Sequence, residues 1–252
     1  MKRARSGARL EHAETATTVR VQNGKVTLEQ VRGLVKASTS FAALEAEDIG
    51  AAELSNQNGA LRARNVAGTL VARTSFAELN AEAVQGNATL RNQNGAIQAE
   101  RIGGDLDAET SFTPLRVRGV EGAAVLRNQN GRVEAREVTG PLRAHTSFAG
   151  IELQGASPVF EAQNQNGAVH IVVLSDTAER VDASTSFAPI EVQLPATAKP
   201  VIRAETTFGK INSDFPVLVW TSVSDKQFQD EPARPKVTLR AQNADLRIRK
   251  LP

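Results

Sequence analysis

Asn92-Gln93-Asn94-Gly95 gives way, eighteen residues on, to Thr110-Ser111-Phe112-Thr113, and eighteen further to Asn128-Gln129-Asn130-Gly131. The same alternation runs through most of the chain. Asn-Gly stands at Asn23-Gly24, Asn58-Gly59, Asn94-Gly95, Asn130-Gly131 and Asn166-Gly167, while Thr-Ser-Phe ends at Phe41, Phe76, Phe112, Phe148 and Phe187, and Thr-Thr-Phe at Phe208. Laid on one register, Asn23, Phe41, Asn58, Phe76, Asn94, Phe112, Asn130, Phe148 and Asn166 follow at steps of 17 or 18. A short fixed period of this kind marks stacked structural repeats, so one coil takes about 18 residues.

A finer period of nine lies inside it: Leu61, Leu70, Leu79, Ala88, Ile97, Leu106 and Leu115. Two residues beyond each comes another small or apolar side chain, at Ala63, Ala72, Ala81, Leu90, Ala99, Ala108 and Val117. Period-2 alternation is that of a strand with one buried face, so each coil carries two main strands. A third interior column closes the coil at Val66, Val84, Ile102, Val120 and Val138. Units of nine residues leave no room for ordinary helices, and chemically different corners at equal spacing argue against antiparallel hairpins. The sequence therefore predicts an all-β fold, a single-stranded parallel β-solenoid or β-helix, with right-handed winding. Between the inward positions, pairs such as Glu45 and Glu47, then Arg62 and Arg64, predict solvated faces on which neighbouring coils offer opposite or neutral charges.

At the corners, Asn before Gly predicts a backbone with positive φ. Asn92, Asn128 and Asn164, alternating with Thr74, Thr110, Thr146 and Thr185, read as side-chain ladders that satisfy turn backbone groups. Phe at every second coil reads as corner packing. The structural corner column comprises Asn58, Phe76, Asn94, Phe112, Asn130, Phe148, Asn166 and Phe187.

Residues 1–18 read as a basic terminal segment carrying Lys2, Arg3, Arg5 and Arg9, either a solvated end or the stub of a longer, membrane-anchored protein. The solenoid is placed at 19–252. Beyond Ile171 the spacing widens to about 21, through Phe187 and Phe208, so the solenoid is expected to continue with larger turns. Residues 212–236 break the pattern before Val237–Arg249 resumes it with a Gln242-Asn243-Ala244 corner. Because a solenoid end needs cover, Phe215, Val217, Val219 and Trp220 within the break are assigned to a cap.

Composition narrows the function classes. Apolar residues make up 40% of 252, enough for a core, yet aromatics are only 4%, which suits a thin interior of Ala, Val, Leu and Ile. A net charge of +2 with interspersed signs points away from nucleic acid, and no apolar run has the length of a membrane span. There is no Cys, and His12, His145 and His170 have no partner at ligand spacing, so no metal or cofactor is expected. Asp is sparse and forms no column of the kind that solenoid lyases and hydrolases use, so the chain reads as non-enzymatic.

The alternating Asn-Gln-Asn-Gly and Thr-Ser-Phe corners, units such as Gly68-Thr69-Leu70-Val71-Ala72-Arg73, and the closing Ala244-Asp245-Leu246-Arg247-Ile248-Arg249 resemble the bacterial toast-rack family of adhesin-like β-strand repeats, a domain of unknown function. The resemblance runs from about Val19 to the end. It implies a scaffold or binding domain at the cell envelope, offering a flat face or corner stripe to a protein, glycan or surface polymer. A bactofilin-like solenoid that forms filaments is the alternative. The two differ at the ends, and a capped solenoid is expected to be monomeric.

Overall fold

The structure, a computed structural model, describes residues 2–4, 7–216 and 235–251. Its strands, β1 to β26 in chain order, form two sheets of thirteen, odd-numbered strands in one and even-numbered in the other. Every pairing among the described residues is parallel, as a solenoid requires and a hairpin array forbids. Leu79 of β10 (Leu79–Val84) lies in register with Leu61 of β8 (Leu61–Val66) on one side and Ile97 of β12 (Ile97–Ile102) on the other. The eighteen-residue step is thus one inter-strand spacing of about 4.8 Å.

Inward columns supply the core. Leu61, Leu79, Ile97 and Leu115 are fully buried, as are Ala63, Ala99, Leu70 and Leu90. In the odd-numbered sheet large residues stand beside Ala from coil to coil, Leu70 against Ala88 and Leu90 against Ala72. The exception is Phe160 in β19 (Val159–Gln163), the largest fully buried side chain among the described residues, which takes the place of Leu142 one coil earlier.

A column of left-handed residues shapes the even-numbered sheet. Gln30, Asp48, Asn65, Ala83, Arg101 and Glu137 all have φ between 52° and 58°, and Gly119 has 69°. Each stands one residue before the third interior column and is skipped by the ladder, as Ala83 is between the Glu82 and Val84 pairs. This left-handed residue interrupts the alternation and swings the next side chain, Val84 or Ile102, back into the core. The column ends at Glu137. In β18 (Ile151–Gly155) the strand runs on without a bulge and the register shifts.

Opposite charges face each other across neighbouring coils as expected, Glu47 opposite Arg64 and Glu100 opposite Arg118. Like charges also meet, with Glu82 opposite Glu100 and Arg118 opposite Arg136. Arg101 meets Glu82 at 2.6 Å and Glu137 meets Arg118 at 2.9 Å, so left-handed positions supply the missing counter-charge.

The ends also differ from expectation. β1 (Lys2–Ala4) pairs with β3 (Thr17–Val21), and β2 (Ala8–Glu11) pairs with β4 (Val26–Val31), so stacked strands extend into the segment read as a basic terminus. Ala8 and Leu10 simply continue the inward columns of Val26 and Leu28.

At the other end the coils do not stack in chain order. β25 (Lys236–Ala241) lies between β21 (Arg180–Thr185) and β23 (Val201–Thr206), and β26 (Leu246–Lys250) lies between β22 (Ile190–Leu194) and β24 (Ile211–Ser213). The Phe208 coil therefore does not rest on the Phe187 coil. Chain-order stacking would set two Thr-type corners together, whereas insertion of Gln242-Asn243-Ala244 restores the alternation. Asn212 and Ser213, assigned above to the break, are strand residues of β24.

Candidate functional site

One edge of the solenoid, where odd strands turn into even ones, repeats a four-residue corner. Its first position is buried: Asn56, Thr74, Asn92, Thr110, Asn128 and Thr146 are each at most 6% exposed. Each Asn donates from Nδ2 to a carbonyl of the coil before, Asn92 to Ala77 O at 2.7 Å and Asn128 to Thr113 O at 2.8 Å. Its Oδ1 accepts from the Gly amide of its own corner, Gly95 or Gly131, at 3.0 Å. Each Thr instead donates from Oγ1 to the Gly carbonyl one coil back, Thr110 to Gly95 at 2.9 Å and Thr146 to Gly131 at 3.1 Å. Two corner types alternate because each satisfies what the other leaves open, which is the requirement for buried backbone groups.

The Asn-Gly glycines do not have positive φ. Close approach excludes a side chain: a Cβ on Gly95 would lie 2.1 Å from Ala77 O, and one on Gly131 2.2 Å from Thr113 O. The corner pulls two coils together through the Asn side chain, and only glycine leaves space for the carbonyl beneath.

The third corner position faces water. Phe41, Phe76, Phe112, Phe148 and Phe187 are 58–63% exposed and Phe208 is 82% exposed, so the expected corner packing of these rings does not occur. Between them, Asn58, Asn94, Asn130 and Asn166 are half-buried and bound to Ser carbonyls below, Asn58 to Ser40 O through both its amide and its Nδ2 at 2.9 and 3.2 Å. The stripe in stacking order is Asn23, Phe41, Asn58, Phe76, Asn94, Phe112, Asn130, Phe148, Asn166, Phe187, Asn243 and Phe208. Alongside it, the second corner position holds exposed Gln57, Gln93, Gln129 and Gln165, alternating with Ser. No ionisable side chain occurs in these two columns from Gln22 onward.

The sheet faces contrast with this neutral edge. They carry cross-coil ion pairs such as Lys36–Glu53 at 2.9 Å, Arg143–Glu161 at 3.0 Å and Arg91–Asp107 at 2.6 Å. The Arg118 guanidinium, hydrogen-bonded to the Glu137 carboxylate, holds that carboxyl below its ordinary value and raises its own. An open polar depression of about 420 Å³ is lined by Glu161, Arg180, Asp182 and Lys236 among others, and both carboxylates lie within 4 Å of Arg180. Among the described residues no group of three or more His, Cys, Asp or Glu side chains could hold a metal ion, and no helix is long and apolar enough to cross a membrane.

Of the residues assigned to the cap, Phe215 is 5% exposed, joins the core and lies 5.4 Å from Lys250 Nζ. Val217, Val219 and Trp220 lie outside the described residues. No protein family, no curated protein and no solved structure matches this chain.

Proposed function

We propose that this protein is a non-enzymatic scaffold or binding domain of the cell envelope whose contact surface is the Phe and Asn corner stripe. One observation carries the reading: six phenylalanines stand largely in water, in a single file, on an edge rigidly held by buried Asn and Thr. Exposed aromatics in an ordered row favour a contact role, since nothing in the packing of the coil uses them. Ion-paired carboxylates on the faces support a non-catalytic reading, and the toast-rack resemblance supports an envelope setting. Of the surfaces open to such a domain, the flat faces or the edge, the charge-rich faces are already paired within the molecule.

Co-sedimentation with purified bacterial sacculi tests the reading. The native protein is expected to pellet, and the Phe76→Ser/Phe112→Ser/Phe148→Ser variant to stay in the supernatant with an unchanged circular dichroism melt. Equal behaviour of the two proteins would remove the stripe as the contact surface.

A further inference from the structure

We infer that the stripe fits a second copy of this chain, docked antiparallel about a two-fold axis between Phe112 and Asn130. The inference rests on the stripe being a contact surface and names a second copy as its occupant in free solution, which a sacculus displaces when it binds.

From Asn23 to Phe208 the stripe alternates without a break. Such a row is complementary to its own reverse. When two copies face each other head to tail, Phe112 meets the partner's Asn130, Phe76 meets the partner's Asn166, and Phe41 meets the partner's Asn243. Each ring enters the gap over a shorter side chain, and all six rings are used at once. The neighbouring column obeys the same rule, bringing Ser opposite Gln. The match depends on the inserted coil: without Asn243 between Phe187 and Phe208, the alternation would fail at one end.

Area and charge agree with this occupant. At 58–82% exposure each, and with roughly 150–250 Å² per ring, the six rings offer roughly 600–950 Å². A standard interface takes about 800 Å² from each partner. From Gln22 onward the two columns are uncharged, so identical stripes meet without the like-charge repulsion that identical sheet faces would create. A two-fold contact of this kind closes on itself and does not propagate into a filament.

The absence of native Cys allows a direct test. Phe76→Cys protein mixed with Asn166→Cys protein under a mild oxidant is expected to give a disulfide-linked dimer. Neither variant should cross-link alone, because like positions lie five coils apart, about 24 Å, in this arrangement. A mixture of Phe76→Cys with Asn94→Cys should also stay uncoupled. Sedimentation equilibrium is expected to show a dimer that the triple Phe→Ser variant weakens roughly a hundredfold. A native protein that stays monomeric, or cross-links equally in both mixtures, would overturn the two-fold dimer. If that monomer loses sacculus binding with the triple substitution, the stripe remains the contact surface; if binding is unchanged, both readings fail.

Discussion

Thr206 Oγ1 donates to the Ala244 carbonyl at 2.9 Å across 38 residues of chain, so the last coil of the stack is not the last coil of the sequence. The bond repeats what Thr110 does with Gly95 and Thr146 with Gly131. A Thr-type corner donates to the fourth-position carbonyl of the coil beneath it, and the inserted coil of β25 and β26 offers Ala244 there, with Ala241 in the place of the ladder Asn.

Deleting residues 236–252 therefore leaves β23 and β24 without their only strand neighbours among the described residues. Amide exchange in Val201–Thr206 is expected to lose its protection, while the strands from β8 to β16 (Val133–Val138) keep theirs, because solenoid coils stabilise one another mainly as nearest neighbours. Retained protection in β23 would mean that it re-docks on the Thr185 coil and that corner alternation does not govern stacking.

Gly131→Ala places a Cβ 2.2 Å from Thr113 O and 2.6 Å from Asn128 Nδ2. Backbone must shift and the Asn128 bonds loosen, at a cost of about 2–3 kcal/mol in chemical denaturation. Gly150→Ala, whose nearest neighbour would be Ala168 O at 3.3 Å, is the control and should cost much less.

Ala83 occupies the left-handed column with φ of 54°, where glycine carries no steric penalty. Relief of that strain outweighs the added chain entropy of glycine, so Ala83→Gly should stabilise by about 0.5–1 kcal/mol. A lower melting temperature would show that the left-handed backbone is not strained there.

Glu137 titrates below an ordinary glutamate because Arg118 hydrogen-bonds its ionised form. With a depressed folded-state pKa, the contribution is present above the unfolded value and lost as pH falls through the folded one. Carbon NMR should find the Glu137 midpoint low in the native protein and returned upward in Arg118→Met. An unmoved midpoint would dissolve the pair.

Legibility followed the range of the interaction. Leu61, Leu79 and Ile97 repeat at one coil, and Asn92 and Thr110 alternate as ladder residues, because each contact joins residues at one constant separation and leaves a periodic trace. The exposure of Phe112 had a weaker trace: it shares a column with polar Asn94 and Asn130, which already suggests water. The bulge was hinted at by the odd step from Ala63 to Val66 within an even alternation. Gln30, Arg101 and Glu137 themselves carry no left-handed signature, since the bulge is imposed by closing the coil and not by their side chains. The coil insertion had one clue, two Thr-type corners at Phe187 and Phe208 with no Asn-Gly between them.

Period, parallel pairing and the inward columns were settled by the order of residues alone, because in-register stacking makes every residue the neighbour of its counterpart one coil away. Folding in three dimensions settled which corner side chains meet water and where the final coil is inserted. Those depend on carbonyls and hydroxyls meeting across distant segments, such as Thr206 and Ala244, and no local pattern encodes such a meeting.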